Sequence, residues 1–132
     1  AGGASNHRMR LDDGVLIKDN HIAVAGSVSA AVSSARAAGL SLGIQVEVDR
    51  LDQIEEALEA GADSLLCHNM TTEQLRSAVS LVAGRVPIEA SGGINLATVR
   101  DIASTGVTYV SVGRITQSAP AVDMGLDYLP QT

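Results

Sequence analysis

Val86-Pro87-Ile88-Glu89-Ala90-Ser91-Gly92-Gly93-Ile94 is a short apolar run that stops at a glycine-rich turn, and Tyr109-Val110-Ser111-Val112-Gly113-Arg114 repeats the phrase one unit later. In both, a helical pattern is about to begin where the run stops. Glycine has no Cβ, so backbone N–H groups can come close to an anion there. A helix starting after the turn adds N–H groups without partners and a partial positive charge. Two such turns on consecutive strand–helix units read as the paired phosphate grip of the top face of β/α barrels. The candidate anion ligands are Ser91, Gly92 and Gly93 on the first turn and Val112, Gly113 and Arg114 on the second.

The same phrase recurs outward from this pair: helix, glycine, short apolar strand, polar residue, helix cap. Gly39, Gly61, Gly84 and Gly106 each suit the left-handed position just past a helix end. Strands are expected at 43–48, 64–67, 86–90 and 109–112, and an earlier one at 15–17 that ends in Lys18-Asp19-Asn20-His21. Ser27 is placed to cap a helix whose face is Val28, Ala31, Val32 and Ala35. Asp49, Thr71, Asn95 and Thr116 are the expected caps further on, Thr71 having capping-box spacing to Gln74. Residues 1–14 read as loop, and 121–129 as a last short helix or strand.

Strand starts lie about 20–28 residues apart, the length of a βα unit. Five units fall short of an eight-stranded barrel, which needs about 250 residues, whereas an open doubly wound sheet could be made from five. Ala1 stands where Met would, already inside a glycine-rich phrase. The expectation is therefore α/β: a partial, TIM-like β/α barrel of about five βα units, with the N-terminal part of the fold missing.

Composition narrows the function classes. The 132 residues are 45% hydrophobic and largely aliphatic, the aromatics being Tyr109 and Tyr128, which is material for a parallel sheet under helices. A net charge of −6 without a basic block argues against a nucleic-acid partner. No apolar run reaches membrane-spanning length, and no charged-then-apolar leader is read in residues 1–132, so a soluble, non-membrane protein is the expectation. The lone Cys67 excludes an internal disulfide and lacks metal-ligand spacing, so a reducing cytoplasm is expected.

Polar residues gather at the expected C-terminal ends of strands, where β/α folds keep their sites. In Ile44-Gln45-Val46-Glu47-Val48, alternation sends Gln45 and Glu47 to the face away from the apolar residues. Ser64, Leu66 and His68 form the matching row of the next strand, and Leu16 and Lys18 that of an earlier one. Lys18, Glu47 and His68 could thus converge on one mouth. A carboxylate beside a lysine can hold sugar hydroxyls or a divalent metal, and lysine can neutralise phosphate or carboxylate. Plainer readings stand beside these: Lys18 and Glu47 as a structural ion pair, and His68, His7 and His21 as hydrogen-bonded or exposed loop histidines. Arg8, in a glycine-rich loop, reads as functional. Glu89 reads as structural, Cys67 as a small buried hydrophobe, Met9, Met70 and Met124 as core filler, and Asp12 and Asp13 as turn residues. Ser118 has no triad context, so no nucleophile is expected.

Gly2-Gly3-x-x-Asn6-His7-Arg8 followed by Leu16-Ile17-Lys18-Asp19-Asn20-His21-Ile22 resembles quinolinate phosphoribosyltransferase, the carboxylating nicotinate-nucleotide diphosphorylase. So do Val46-Glu47-Val48, Glu89-Ala90-Ser91-Gly92-Gly93-Ile94, Thr105-Gly106-Val107 and Ser111-Val112-Gly113. The resemblance covers essentially all of residues 1–132, as the C-terminal part of the family's barrel domain. It implies phosphoribosyl transfer from phosphoribosyl pyrophosphate to quinolinate, with Mg²⁺ accompanying the pyrophosphate, giving nicotinate mononucleotide, pyrophosphate and CO₂ in de novo NAD synthesis. Carried over, His7, Arg8 and Lys18 would hold the pyridine dicarboxylate and part of the donor. Glu47 would meet the ribose hydroxyls or metal and help stabilise an oxocarbenium-like transition state, the two glycine turns would bind the ribose phosphate, and Lys18, Glu47 and His68 are the catalytic candidates. No metal ligand set of the protein's own is expected. The family works as a homodimer whose N-terminal domain completes the partner's site. Three positions depart from its usual pattern: His68 for Asp, Gln117 within Thr116-Gln117-Ser118 for His, and Arg114 for a small residue. A paralogue with an altered substrate, such as the phosphoribosyltransferase-like protein associated with molybdate transport, and a non-catalytic phosphate-binding module are the alternatives.

Overall fold

Short apolar runs alternating with helical repeats fold into alternating strands and helices. The computed structural model describes residues 3–126. Among these, the strands are β1 (Val15–Ile17), β2 (Ile44–Val48), β3 (Ser64–His68), β4 (Ile88–Ser91) and β5 (Tyr109–Val110). The helices are α1 (Asp19–Ala25), α2 (Val28–Ala37), α3 (Asp52–Glu59), α4 (Thr72–Val82), α5 (Val99–Ala103) and α6 (Arg114–Gln117). All the strand pairs are parallel, in the order β1-β2-β3-β4-β5. A doubly wound sheet reverses its strand order partway; this one steps one way throughout. Right-handed crossovers then keep every helix on the same side.

Burial records that one-sidedness. Ile44, Val46 and Val48 are buried while Gln45 and Glu47 between them are only partly so. The buried residues of β2, β3 and β4 (Val46, Val48, Leu65, Cys67, Ile88 and Ala90) pack with Val32, Ile54, Ala57, Leu75, Ala78 and Val82 from the helices in one core. Leu66 is buried too, yet it lies outside that core, on the opposite face. The Cys67 thiol sits inside, and burial pushes it up to about 11. At the other end of the strands, Asp63 accepts from the Ile44 N–H at 2.7 Å and from Arg36 at 2.8 Å. Those two bonds, the backbone one first, hold its carboxyl below the usual range.

The expected helix ends agree closely with those observed. Gly39, Gly61, Gly84 and Gly106 all have left-handed φ. Ser27 Oγ accepts from the Ala30 N–H, and Thr71 and Gln74 close a reciprocal capping box at 3.2 and 2.8 Å. Thr71→Ala is expected to cost about 1 kcal/mol and lower the melting temperature by a few degrees, read by thermal unfolding with an unchanged circular dichroism spectrum.

Elsewhere the expectations need correction. Lys18-Asp19-Asn20-His21 is not a strand end: helix α1 begins at Asp19. It lacks a conventional cap, and His21 Nδ1 instead accepts the Lys18 N–H at 2.9 Å. Asp49 is not the cap of α3, because Gln53 Oε1 takes the N–H groups of Asp49 and Arg50. Asn95 caps a turn through Ala97, and α5 starts only at Val99. Thr116 lies within α6, and β5 is two residues long rather than four. Met70 packs on the core, but Met9 and Met124, 74% and 85% exposed, do not fill it. Both sit in segments without strand or helix, where no apolar face forms around them. Residues 121–126 have no regular structure; the rest of that expected element, with Tyr128 and Gly2, falls outside the described residues. Among the described residues, no helix is long and apolar enough to cross a membrane.

Candidate active site at the strand ends

Because the sheet is parallel, one face collects one polar row from every strand. The register sets Leu16 beside Gln45, Gln45 beside Ser64, Glu47 and Glu89 on either side of Leu66, and His68 beside Ser91. At the C-terminal ends of β3, β4 and β5 this row opens into a cleft of about 460 Å³. Of the sequence candidates, His68, Ser91, Gly92, Gly93, Gly113 and Arg114 line it together. Val112 does not; its side chain packs on the core.

Backbone shape makes the cleft. Gly92 has φ +95° and Gly93 +64°. A Cβ on Gly92 would run into the side chain of Asn69 and stand 2.9 Å from its backbone nitrogen. Asn69 is itself left-handed (φ 54°), and its N–H donates to the Ser91 carbonyl at 2.9 Å. Two tight turns thus interlock at the floor. The helices after the glycine turns are short and start elsewhere than expected: α5 begins late, at Val99, and α6 begins early, at Arg114, with four residues. Any help to an anion here comes from turn N–H groups and Arg114 rather than from a long helix dipole.

Lys18 follows β1 and Glu47 lies in β2; Lys18 Nζ stands 3.8 Å from Glu47 Oε2. Glu47 is the more buried partner, with a side chain 17% exposed. His7 reaches across from the N-terminal loop to Glu89, its Nε2 3.2 Å from Oε2. Arg8 is exposed, with no ion pair among the described residues. Inside the cleft wall, His68 Nδ1 is buried and has no hydrogen-bond partner. Among the described residues, no three His, Cys, Asp or Glu side chains cluster as a metal site.

Sequence reasoning missed the hub of this face. Glu89 is 5% exposed. It accepts from Gln45 Nε2 at 2.8 Å and from Ser111 Oγ, besides its contact with His7. Alternation along β4 puts Glu89 on the same side as Ser91, so the signal was in the strand's own period. Asn69 also lines the cleft and carried no signal in the sequence, while the sequence marked Asn95 only as a helix cap and Gln117 only as a departure from the family's pattern.

Comparison with known proteins places the whole arrangement. The family model described as quinolinate phosphoribosyl transferase, C-terminal domain, matches residues 1–127. Over 128 residues the chain is 42% identical to the probable nicotinate-nucleotide pyrophosphorylase (carboxylating) of Bacillus subtilis, covering 96% of this chain and 44% of that protein. Two solved structures superpose well. The nicotinate-nucleotide pyrophosphorylase of Francisella tularensis has a TM-score of 0.86 at 41% identity, over 92% of this chain and 44% of that one. NadC from Streptococcus pyogenes has a TM-score of 0.85 at 43% identity, over 98% and 47%. The chain spans less than half the length of these relatives. With its motifs in register and its fold shared, it belongs to the quinolinate phosphoribosyl transferase family and represents that family's C-terminal domain.

Proposed function

We propose that this chain is a partial β/α barrel from a quinolinate phosphoribosyltransferase. The reaction transfers the phosphoribosyl group of phosphoribosyl pyrophosphate to quinolinate, with loss of CO₂, to give nicotinate mononucleotide and pyrophosphate in NAD synthesis. The observation that supports this reading is the cleft between the two glycine turns at the ends of β3, β4 and β5, with the Lys18–Glu47 pair at the ends of β1 and β2 of the same sheet.

The chemistry follows from what these groups can do. The ribose phosphate sits against the Ser91-Gly92-Gly93 turn and the Gly113-Arg114 corner, where turn N–H groups and a guanidinium face it. The bond from ribose C1 to the diphosphate oxygen breaks and the bond from C1 to the pyridine nitrogen forms. Positive charge develops on the ribose between those events, and Glu47 stabilises it while holding sugar hydroxyls. Lys18 and Arg8, a point-like ammonium and a planar guanidinium, pair with the carboxylates of quinolinate, and His7 joins them. The carboxylate next to the ring nitrogen leaves as CO₂, its bonding electron pair stays on ring C2 beside the now cationic nitrogen, and C2 takes a proton from water. Mg²⁺ arrives on the donor's diphosphate as part of the substrate, and supplies charge neutralisation there. The work is positioning and electrostatics, so no covalent nucleophile is needed.

The working unit is read as a homodimer in which a longer subunit completes its partner's site. A reducing, cytoplasmic setting suits the buried free thiol of Cys67. The unpartnered His68 Nδ1 favours a second reading, a paralogue taking a different substrate through that cleft. One experiment separates them: turnover of quinolinate and phosphoribosyl pyrophosphate with Mg²⁺, in this chain and in this chain joined to the N-terminal part of the B. subtilis relative. Nicotinate mononucleotide is expected from the joined protein, with this chain alone far slower. Silence in both, with inorganic phosphate still bound, would reject the proposed reaction in favour of the paralogue or a binding module.

A further inference from the structure

Three side chains from separate parts of the chain converge on one buried carboxylate. Gln45 of β2 donates to Glu89 Oε2 at 2.8 Å, His7 Nε2 lies 3.2 Å from the same oxygen, and Ser111, just past β5, donates to Oε1. Gln45 and Ser111 are neutral donors, so they satisfy Glu89 without cancelling its charge. They also fix its orientation, since each occupies a different part of the carboxylate. A carboxylate only 5% exposed is costly unless it is paired and hydrogen-bonded. His7 is the cation-capable group in contact with it, and 41% of the His7 side chain remains open to solvent.

An ionised carboxylate only accepts, so the nitrogen facing it must carry a proton. His7 is then held as the Nε2–H form, with Nδ1 directed away from Glu89 as a lone pair. An imidazole pinned in this way can donate to a second anion only after Nδ1 also takes a proton. We propose that Glu89 is a positioning residue for substrate binding: through His7 it fixes the tautomer and ring orientation, so that an incoming pyridine carboxylate is met by an imidazolium shared between two carboxylates. This rests on the proposed reaction insofar as His7 meets quinolinate. The other titratable groups to weigh are Arg8, next along the loop, and, on the same sheet face, Glu47 across Leu66, its partner Lys18, and His68 at the end of β3; Gln45 and Ser111 add no charge.

Imidazole ¹⁵N chemical shifts of His7 test this on the chain as it stands. In the unaltered protein at a pH where His7 is neutral, the Nε2–H form is expected to predominate. Adding pyridine-2,3-dicarboxylate is expected to move both nitrogens to imidazolium positions. Glu89→Gln keeps the size but offers His7 an amide. It should shift the tautomer ratio about tenfold towards Nδ1–H and weaken the dicarboxylate about tenfold, the scale of losing a hydrogen bond to a charged acceptor. Should that variant unfold, Glu89→Asp, one methylene shorter, is expected to give a smaller shift in the same direction. In a His7→Ala background, Glu89→Gln should change affinity less than twofold, because coupled residues are not additive. An unchanged tautomer ratio in both Glu89 variants, or a full effect without His7, overturns the proposal. If His7→Ala alone leaves dicarboxylate binding intact, the role of His7 in the proposed reaction falls, while the tautomer result still decides whether Glu89 governs the ring.

Discussion

Glu47→Gln, in the protein joined to an N-terminal part, is expected to cut phosphoribosyl transfer by about 10²-fold or more, with most of the loss in kcat. Glu47 is held on the polar face by its neighbours in β2 and points at the Lys18 ammonium, 3.8 Å away. In the proposed reaction, a carboxylate there stabilises positive charge that develops on the ribose only as the diphosphate leaves. Glutamine keeps the shape and the hydroxyl contacts but not the charge. Ground-state binding of the donor should therefore change little, and a rise in KM without a fall in kcat would contradict the assigned role. Lys18→Met is the complementary test. It should weaken quinolinate binding chiefly, because in the proposed reaction the charge it removes pairs with the acceptor's carboxylates.

The second large effect is expected at Gly92→Ala. Two costs coincide at that position. A left-handed φ of +95° is strained for any residue with a Cβ, by about 1–3 kcal/mol. The new methyl also lands on Asn69, whose backbone nitrogen is 2.9 Å away and cannot yield without breaking its bond to Ser91. Relief requires the first glycine turn to move, and with it one wall of the cleft. Loss of measurable inorganic phosphate binding is expected, together with a melting temperature lower by several degrees. Gly93→Ala provides the contrast, for its Cβ would meet nothing within 4 Å. It should retain a folded cleft and pay mainly for its own φ of +64°.

The parts that sequence made legible are those governed by short-range rules. Strand β2 was readable because strict alternation has one interpretation when helices cover one face. The glycines after α2, α3, α4 and α5 were readable because each meets a conformational demand that other residues meet poorly. What escaped depends on partners distant in sequence. Helix α1 was hidden because its first turn is closed by the ring of His21, which accepts the Lys18 N–H, rather than by a standard capping side chain. Glu89 read as structural because its three partners lie between 22 and 82 residues away, and no local pattern brings them together. Val112 was read as lining the cleft, yet in the structure the residue of that turn on the polar face is its neighbour Ser111.

The sequential strand order also bears on how the chain reaches this state. Every strand hydrogen-bonds only to strands adjacent in sequence, and successive helices pack on their neighbours. No long loop must close before a contact forms, so ordering can spread outward from whichever βα unit docks first, as in a one-dimensional array. Damage near β5 should consequently leave hydrogen-exchange protection in β2 and β3 largely intact, and the two ends of the sheet should fray before its middle.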